Sequence, residues 1–461
     1  MVFSSVFFLF FYFLAVLAVY YGLPRRFRNF WLFAVSIFFY GYGEPIYVLL
    51  LLASILGNYL CGLALARHTR KKRILTLCVI GNLLLLGYFK YTTLVVDTLQ
   101  LLPGFENLPD AKIALPIGIS FFTFQSMSYV IDVYWGNCKT QKNFITFGTY
   151  VALFPQLIAG PIVRYVDVEE QLQTRRESMP VFNHGVKLFL VGLAKKVLLA
   201  NPLGLLWSQL KLMPDSNGLL GAWVGIIAFS LQIYFDFSGY SDMARGLGNM
   251  FGFDFVKNFN YPYLCRSITE FWRRWHISLG TWFREYVYIP LGGNRRGRSR
   301  QVLNLLIVWG LTGLWHGASW NFLLWGLYFG VLLIAEKLFL LAFLKKIPKV
   351  FHHFYALFLV IIGWVLFDFL DFSQMLQYLG SLFTVKNGSL GSQTGFLIGA
   401  NLTLLVAGIA FCLPCWKSLY LRIAETRWGW IVDLAGTLLA LLLCTGALIS
   451  STYNPFLYFR F

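Results

Sequence analysis

The sequence has few charged residues. Asp, Glu, Lys and Arg make up 13% of its 461 residues, whereas a typical soluble domain carries about 25%. Hydrophobic residues account for 58%, and the mean hydropathy is +0.65. This composition excludes an ordinary soluble globular protein and predicts an integral membrane protein.

Five long runs contain no charged residue at all. They cover residues 1–24, 45–66, 301–335, 387–416 and 434–459. A membrane-spanning helix needs roughly 20 apolar residues, so each run can hold at least one. The runs lack the alternation over about ten residues that marks strands of a membrane β-barrel. The pattern therefore predicts an all-α polytopic membrane protein with about eleven spanning helices.

The sequence also lacks a recognisable signal peptide. Residues 1–24 have no basic start, and their apolar run is too long, so we expect a first spanning helix at about 3–21. There is no internal repeat and no stretch with the composition of a soluble domain. We therefore expect a single membrane domain over residues 1–461.

Acidic residues are scarcer than basic ones. The chain has 20 Asp and Glu against 38 Lys and Arg, which gives a net charge of +18. The basic residues lie in loops between apolar runs, as the positive-inside rule describes. This distribution argues against nucleic acid as a partner and predicts contact with membrane lipids.

Motifs for metals and nucleotides are missing. Cys412 and Cys415 form a Cys-x-x-Cys pair, but no second pair completes a zinc site. No Walker, Gly-x-Ser-x-Gly or Rossmann pattern occurs. We predict no metal, and we interpret the seven cysteines as buried apolar residues without disulfides.

Three regions depart from straight spanning helices. Within the segment 144–161, residues 154–161 place two prolines and a glycine at apparent membrane depth. Broken backbone is tolerated there only against protein or water, so we expect a re-entrant or kinked segment. Residues 164–176 are highly charged and residues 245–300 are basic and aromatic, which favours interfacial helices on the cytoplasmic face.

His316 is a titratable residue in apolar sequence. The run 301–335 is too long for one comfortable helix, and its central glycines predict two segments that meet near His316. A neutral imidazole in a dry site can take a proton from a hydroxyl group, so His316 is a candidate catalytic residue. The alternative is a histidine that is hydrogen-bonded between helices.

His276 lies in a basic and aromatic stretch. It is a second candidate site residue, and the alternative is an interfacial histidine. Arginines around it are candidates for holding the phosphates of a nucleotide-like donor, because guanidinium pairs with phosphate at two points. The candidates are Arg273, Arg274, Arg295 and Arg296. Positive-inside topology and lipid head-group contact explain these arginines equally well.

Two further motifs carry weaker expectations. Gly292 and Gly293 are expected to bring backbone N–H groups near the phosphates of the donor. Asp236 and Asp242 follow the apolar segment 219–235, and paired acids can relay protons or bind a cation. For these two residues helix capping or an ion pair with Arg245 is the favoured interpretation.

Seven motifs occur in order over most of the chain. They are LPIGISFFTFQ at 115–125, PQLIAGPIVR at 155–164, DFSGYSDMA at 236–244, FWRRWHISL at 271–279, YIPLGGNR at 288–295, GLWHGA at 313–318 and YFRF at 458–461. Together they resemble the membrane-bound O-acyltransferase (MBOAT) family, and within it the bacterial branch of alginate O-acetylation membrane proteins.

The resemblance implies the MBOAT fold, in which a ring of helices surrounds a thinned membrane and a tunnel links a cytoplasmic donor to an outside acceptor. It implies transfer of an acetyl group from acetyl-CoA to a hydroxyl group of a cell-surface polysaccharide or exopolysaccharide. By position, His316 is the family's essential histidine and His276 its second polar residue. A bacterial cytoplasmic membrane and an extracytoplasmic esterase-like partner are implied as well.

Two other functions remain open on the sequence. One is D-alanyl transfer to teichoic acid, with an acyl-carrier protein as the donor. The YIPLGGNR motif resembles the acetylating branch more closely. The other is a polysaccharide or lipid transporter without chemistry, a class in which inverted repeats are frequent; none is visible here.

Overall fold

The computed structural model describes most of the chain, and the described residues are 2–111, 113–158, 160–212, 218–385, 391–451 and 456–457. Within these ranges the chain forms helices, turns and loops and no β-strand. The all-α prediction is therefore confirmed. The YFRF motif at 458–461 lies outside the described residues.

The chain divides into two compact units. Unit 1 comprises Met1–Phe189 and Ser241–Lys257, and unit 2 comprises Leu190–Tyr240 and Asn258–Phe461. The single domain over residues 1–461 stays a prediction.

Eight α-helices belong wholly to unit 1. They are α1 (Phe13–Gly22), α2 (Arg25–Gly43), α3 (Tyr47–Arg67), α4 (Lys71–Gln100), α5 (Ile119–Trp135), α6 (Phe144–Ala152), α7 (Phe154–Leu157) and α8 (Tyr165–Thr174). The predicted kink in 144–161 is confirmed, because Leu153 separates α6 from the single turn of α7.

The remaining helices follow in chain order, and α9 and α11 contribute residues to both units. They are α9 (Met179–Ala194), α10 (Asn201–Lys211), α11 (Gly218–Met250), α12 (Ile268–Arg274), α13 (Ile277–Phe283), α14 (Arg298–His316), α15 (Trp320–Ala335), α16 (Leu341–Leu344), α17 (Lys349–Asp368), α18 (Phe372–Ser381), α19 (Ser392–Ala400), α20 (Leu402–Phe411), α21 (Cys415–Ala424) and α22 (Gly429–Ser450).

Four π-helical segments and one 3₁₀ turn join or extend these helices. The π-helical segments are Phe8–Tyr12, Lys195–Ala200, Arg284–Tyr288 and Glu336–Leu340, and the 3₁₀ turn is Pro262–Leu264. The segment Lys195–Ala200 connects α9 to α10 without a break, so one helical rod runs over Met179–Lys211.

Seven helical rods among the described residues are long and apolar enough to cross a membrane, or eight if the bent pair formed by α19 and α20 is one span. The chain is therefore a multi-pass membrane protein, as predicted. Other apolar segments are shorter, for example Phe8–Gly22, and the number of about eleven spans stays a prediction.

The long run 301–335 breaks next to His316, as its central glycines predicted. The helix α14 ends at His316, and α15 begins at Trp320 after a three-residue link, 317–319. A Cβ on Gly313 would overlap the carbonyl oxygen of Phe322, and a Cβ on Gly326 would overlap the carbonyl oxygen of Trp309. Glycine at these two positions lets the two backbones touch, a packing mode common between membrane helices.

The core of unit 2 is rich in aromatic rings. Trp272 on α12 packs edge-on against Trp309 and Phe329, with ring centres 4.7 and 5.0 Å apart. Trp275 follows α12 and lies 4.9 Å from Trp364 on α17. These large buried rings hold the short helix α12 against α14, α15 and α17, so the segment that carries His276 has a fixed place.

The approach of α14 to α15 makes Gly313→Ala a test of this packing. We expect the variant to lose roughly 1–3 kcal/mol of stability, because the added methyl group must push α14 away from α15. The measurement is thermal unfolding of the detergent-purified protein followed by tryptophan fluorescence.

Gly310→Ala is the matched control, since it lies one turn earlier on α14. Its Cβ would meet Leu323 Cδ1 at 3.7 Å and Leu327 Cδ2 at 3.9 Å, which are ordinary contacts. Equal unfolding temperatures for the two variants would contradict the packing described above.

Candidate active site

A cavity in unit 2 contains one of the two predicted histidines in its wall. The empty space that it encloses, together with the open space at its mouth, is about 360 Å³. Two polar residues, His316 and Asp236, line it together with seven apolar ones. The apolar residues are Ile233, Phe237, Trp275, Trp325, Trp364, Phe367 and Leu457.

His316 is the last residue of α14, and only 5% of it is exposed. Its ring meets Trp325 and Phe367 nearly perpendicularly, with ring centres 4.9 and 5.5 Å apart. The C-terminal end of a helix carries a partial negative charge. His316 therefore occupies a dry, aromatic position where a positive charge, once acquired, is stabilised by the helix.

His276 lies in the turn between α12 and α13, and 1% of it is exposed. Its backbone is left-handed, with φ of 44° and ψ of 53°, a conformation that is uncommon for a residue other than glycine. The Ile277 N–H donates to the Asn258 carbonyl at 3.0 Å, and the Asn260 N–H donates to the Arg274 carbonyl at 2.9 Å. These two bonds maintain the strained turn that carries the imidazole.

The side chain of Asn258 determines which nitrogen of His276 carries the proton. The Ser278 backbone N–H, which can only donate, points at Asn258 Oδ1 at 3.1 Å, and Ser278 Oγ lies 2.9 Å from the same atom. The amide oxygen must therefore face this side. His276 Nδ1 lies 3.2 Å from Oδ1, so Nδ1 is the protonated nitrogen and Nε2 carries the lone pair.

Burial keeps His276 neutral. It lowers the pKa of the imidazole to about 3, because the charged form loses its hydration in the interior. His276 is therefore a neutral imidazole with a defined tautomer throughout the physiological pH range.

A buried carboxylate anchors the start of α12. Glu336 is 1% exposed, and its oxygens accept hydrogen bonds from the Ile268 N–H at 2.6 Å and the Thr269 N–H at 2.8 Å. Tyr355 donates to the same carboxylate at 3.1 Å. These bonds satisfy the first backbone donors of the helix and suit its positive end, so Glu336 holds the helix that leads to His276.

One tryptophan contacts both histidines. The Trp315 ring centre lies 5.9 Å from that of His276 and 5.1 Å from that of His316. Phe237, in the cavity wall, meets His276 edge-on at 4.6 Å. The structure therefore places both predicted histidines in one aromatic cluster, although only His316 lines the cavity.

The four candidate arginines have different surroundings. Arg274 pairs with Glu270 at 2.7 Å, so an acidic neighbour already compensates its charge. Arg273, Arg295 and Arg296 have exposed side chains. Within the described part of the chain, no carboxylate pairs with these three, so they can meet an anion in solution.

The expectation for the glycine pair is wrong. Gly292 and Gly293 both have positive φ, 105° and 55°. Their N–H groups donate at 2.9 Å to the carbonyl oxygens of Ile289 and Tyr288. The turn uses these donors internally, so they do not face a phosphate.

Asp236 is a cavity residue that the sequence did not single out for the site. The helix α11 continues past the predicted segment 219–235, so Asp236 lies inside a helix with 2% exposure. It forms a buried ion pair with Lys196 at 2.6 Å rather than with Arg245. Asp242 is the acid that lies near Arg245, at 3.9 Å. An acidic residue after an apolar run was the available signal, but its partner is 40 positions away in sequence.

Comparisons with known proteins agree with this architecture. Residues 139–375 match the MBOAT, membrane-bound O-acyltransferase, family. The chain is 43% identical over 375 residues to the probable alginate O-acetylase AlgI of Azotobacter vinelandii. This match covers 80% of this chain and 75% of that protein. It is 38% identical over 490 residues to the protein of the same name from Pseudomonas putida, along the full length of both.

A relative that is named for a different acceptor also matches. The chain is 32% identical over 489 residues to the peptidoglycan O-acetyltransferase of Helicobacter pylori. This match covers 94% of this chain and 92% of that protein. The family match spans half of the sequence, and the relatives cover nearly all of it. This chain therefore belongs to the membrane-bound O-acyltransferase family and is a multi-pass O-acyltransferase.

Proposed function

We propose that this protein transfers an acetyl group from cytoplasmic acetyl-CoA to a hydroxyl group, for the O-acetylation of a cell-surface polysaccharide or exopolysaccharide. The observation that carries the proposal is the buried His316 in the wall of a small cavity with aromatic sides. The activities for which the relatives are named, alginate O-acetylation and peptidoglycan O-acetylation, support the same class of acceptor.

The size of the cavity supports a short acyl group. Trp325, Trp364 and Phe367 close it around His316, and packed aromatic rings leave little space for a long chain. An acetyl group is the smallest common acyl group that forms a thioester with CoA. The apolar walls also exclude water, which would otherwise compete with the acceptor hydroxyl.

His316 is the proposed general base. Its imidazole takes the proton of the acceptor hydroxyl while the hydroxyl oxygen attacks the thioester carbonyl carbon. The C–S bond then breaks, and CoA leaves as a thiolate that the imidazolium protonates. The new bond is an oxygen ester, and the histidine returns to its neutral form.

His276 is the proposed second polar group of the site. Because its Nδ1–H faces Asn258, Nε2 offers a hydrogen-bond acceptor in a fixed direction. The preceding helix, α12, carries the exposed Arg273. We assign Arg273, Arg295 and Arg296 to the phosphates of CoA, and we give Arg274 a smaller share because Glu270 already pairs with it.

The acceptor side requires another protein. The described chain is helical and has no hydrolase-like soluble domain, so we propose an extracytoplasmic esterase-like partner that passes the acetyl group to the polysaccharide. The proposed location is the cytoplasmic membrane of a bacterium, with CoA bound from the cytoplasm.

His316→Ala tests the proposed base. We expect acetyl transfer to fall by roughly 100- to 10,000-fold, because a general base contributes about that much. The assay incubates protein in nanodiscs with radiolabelled acetyl-CoA and the partner protein, and counts label on the acceptor.

His184→Ala is the matched control, since His184 is exposed on α9 and distant in sequence from the site. It should retain the wild-type rate. Full acetyl transfer by His316→Ala would contradict the proposed base. Label that reaches the acceptor only from a D-alanyl carrier protein would replace acetyl-CoA as the donor.

Asn258→Leu tests the tautomer of His276. We expect a loss of transfer of roughly 10- to 100-fold, because the imidazole loses the acceptor that fixes its Nδ1 proton. The control Ser278→Ala removes one donor to Asn258 and leaves that acceptor in place. Thermal unfolding of both variants separates a folding defect from a chemical one, and equal transfer rates would rule out the assignment.

Arg295 and Arg296 are expected to act on donor binding. Replacing both by Ala should raise KM for acetyl-CoA by roughly tenfold or more with little change in kcat, because hydrogen bonds to charged groups are lost. Arg427→Ala is the control, as Arg427 is exposed on the loop before α22. An unchanged KM in the double variant would return both arginines to a topological role.

A further inference from the structure

The segment Phe456–Leu457 is seated in the interior of unit 2. The two residues are only 7% and 5% exposed, although they follow α22, whose apolar window is only 6% buried. Leu457 lines the same cavity as His316. A short stretch of chain after a peripheral helix therefore forms part of the candidate site.

A hydrogen bond connects this segment to the cavity wall. The Leu457 backbone N–H donates to Asp236 Oδ2 at 2.8 Å. Asp236 Oδ1 is paired with Lys196 Nζ at 2.6 Å, and the two side chains are 2% and 4% exposed. The carboxylate is thus fixed by a charge on one side and holds the backbone of Leu457 with its other oxygen.

The packing around this ion pair leaves little freedom. A Cβ on Gly239, one turn after Asp236 on α11, would lie 2.7 Å from the carbonyl oxygen of Gly192 and 3.3 Å from the backbone nitrogen of Lys196. Lys196 itself sits in the π-helical segment Lys195–Ala200, a form found often at functional sites. The backbones around Gly239 and Gly192 touch here, and this contact brings Asp236 and Lys196 together.

The ring of Phe456 adds a second attachment. It stacks on Tyr240 with ring centres 4.6 Å apart. Lys196 Nζ lies 5.9 Å from its centre, within the range of a cation–π contact. Lys196 therefore forms an ion pair with Asp236 and a cation–π contact with the ring of Phe456. One cation thus stabilises both attachments of the segment Phe456–Leu457.

We propose that Phe456–Leu457 is a fixed wall that keeps water out of the cavity at His316, and that Asp236, paired with Lys196, is the positioning residue that holds it. This inference rests on the proposed function for its catalytic consequence. Its structural part, the closed wall, does not depend on any reaction.

Loss of the wall has a defined chemical consequence. Water would enter and take the place of the acceptor hydroxyl. Its oxygen would attack the thioester carbonyl carbon, the C–S bond would break, one proton of the water would pass through His316 to the CoA thiolate, and acetate would be released. The variant should therefore shift from transfer to hydrolysis, and a general loss of structure would lower both.

Leu457→Pro removes the backbone N–H that donates to Asp236 Oδ2, because proline has no backbone donor. Leu457→Val retains that N–H and an aliphatic side chain. Both are placed on Ile233→Cys, which puts a thiol in the cavity wall at a residue that is 6% exposed. The rate of maleimide labelling at position 233 is read by peptide mass spectrometry, which separates it from the native cysteines.

Maleimide labelling at position 233 should be slow in the parent protein, which carries Ile233→Cys alone. It should also be slow when Leu457→Val is added. It should be roughly 10- to 100-fold faster in Leu457→Pro, because a hydrogen bond to a charged group is lost. In parallel, the ratio of acetate to transferred acetyl group should rise severalfold in Leu457→Pro.

A second variant tests Asp236 without leaving a lone charge in the core. Asp236→Asn alone strands Lys196 and is expected to destabilise the fold. The double change Lys196→Met with Asp236→Leu replaces the pair by apolar side chains of similar size, which buried sites often tolerate. This double variant should fold, label fast at position 233 and hydrolyse acetyl-CoA.

Slow labelling in both Leu457→Pro and the folded double variant would overturn the proposal, whatever the activity. A different result would be fast labelling in these variants together with no transfer or hydrolysis of acetyl-CoA by the protein without them. That result would support the wall and contradict the proposed function. The two claims are thereby separable in one set of proteins.

Discussion

The contact between the backbones of α14 and α15 is the constraint on which the site depends. Gly313 and Gly326 allow the two helices to touch, and this contact sets where α14 ends. The last residue before the link is His316. Its ring is then enclosed by aromatic side chains, so a titratable group sits in a dry cavity near the negative end of a helix. A larger side chain at either glycine would separate the helices and move the imidazole.

Three polar side chains buried in unit 2 are paired with groups from other parts of the chain. Glu336 satisfies the first N–H groups of α12, and Asn258 accepts from the turn that holds His276. Lys196 compensates Asp236. Unpaired, such groups would be costly in an apolar interior. Paired, Glu336 and Asn258 hold the helix and the turn that position His276.

Much of this arrangement was predictable from the sequence, and the rest was not for a physical reason. Charge-free runs and the glycines near His316 predicted helices and the break between α14 and α15, because length and backbone freedom are local properties. The motifs around His276 and His316 pointed to the family. The Asp236–Lys196 pair could not be derived, because it joins residues on different helices. The internal bonding of Gly292 and Gly293 was missed because a glycine pair alone does not reveal the direction of its N–H groups.

The central claim is that the His316 imidazole takes the proton of the acceptor hydroxyl. Chemical rescue tests it most directly, because His316→Ala leaves a space beside the cavity that added imidazole can enter. The account predicts that imidazole restores acetyl transfer in His316→Ala in a concentration-dependent manner, while pyrrole, which has a similar shape but no basic nitrogen, restores none. Transfer by His316→Ala at the wild-type rate without imidazole would contradict the account.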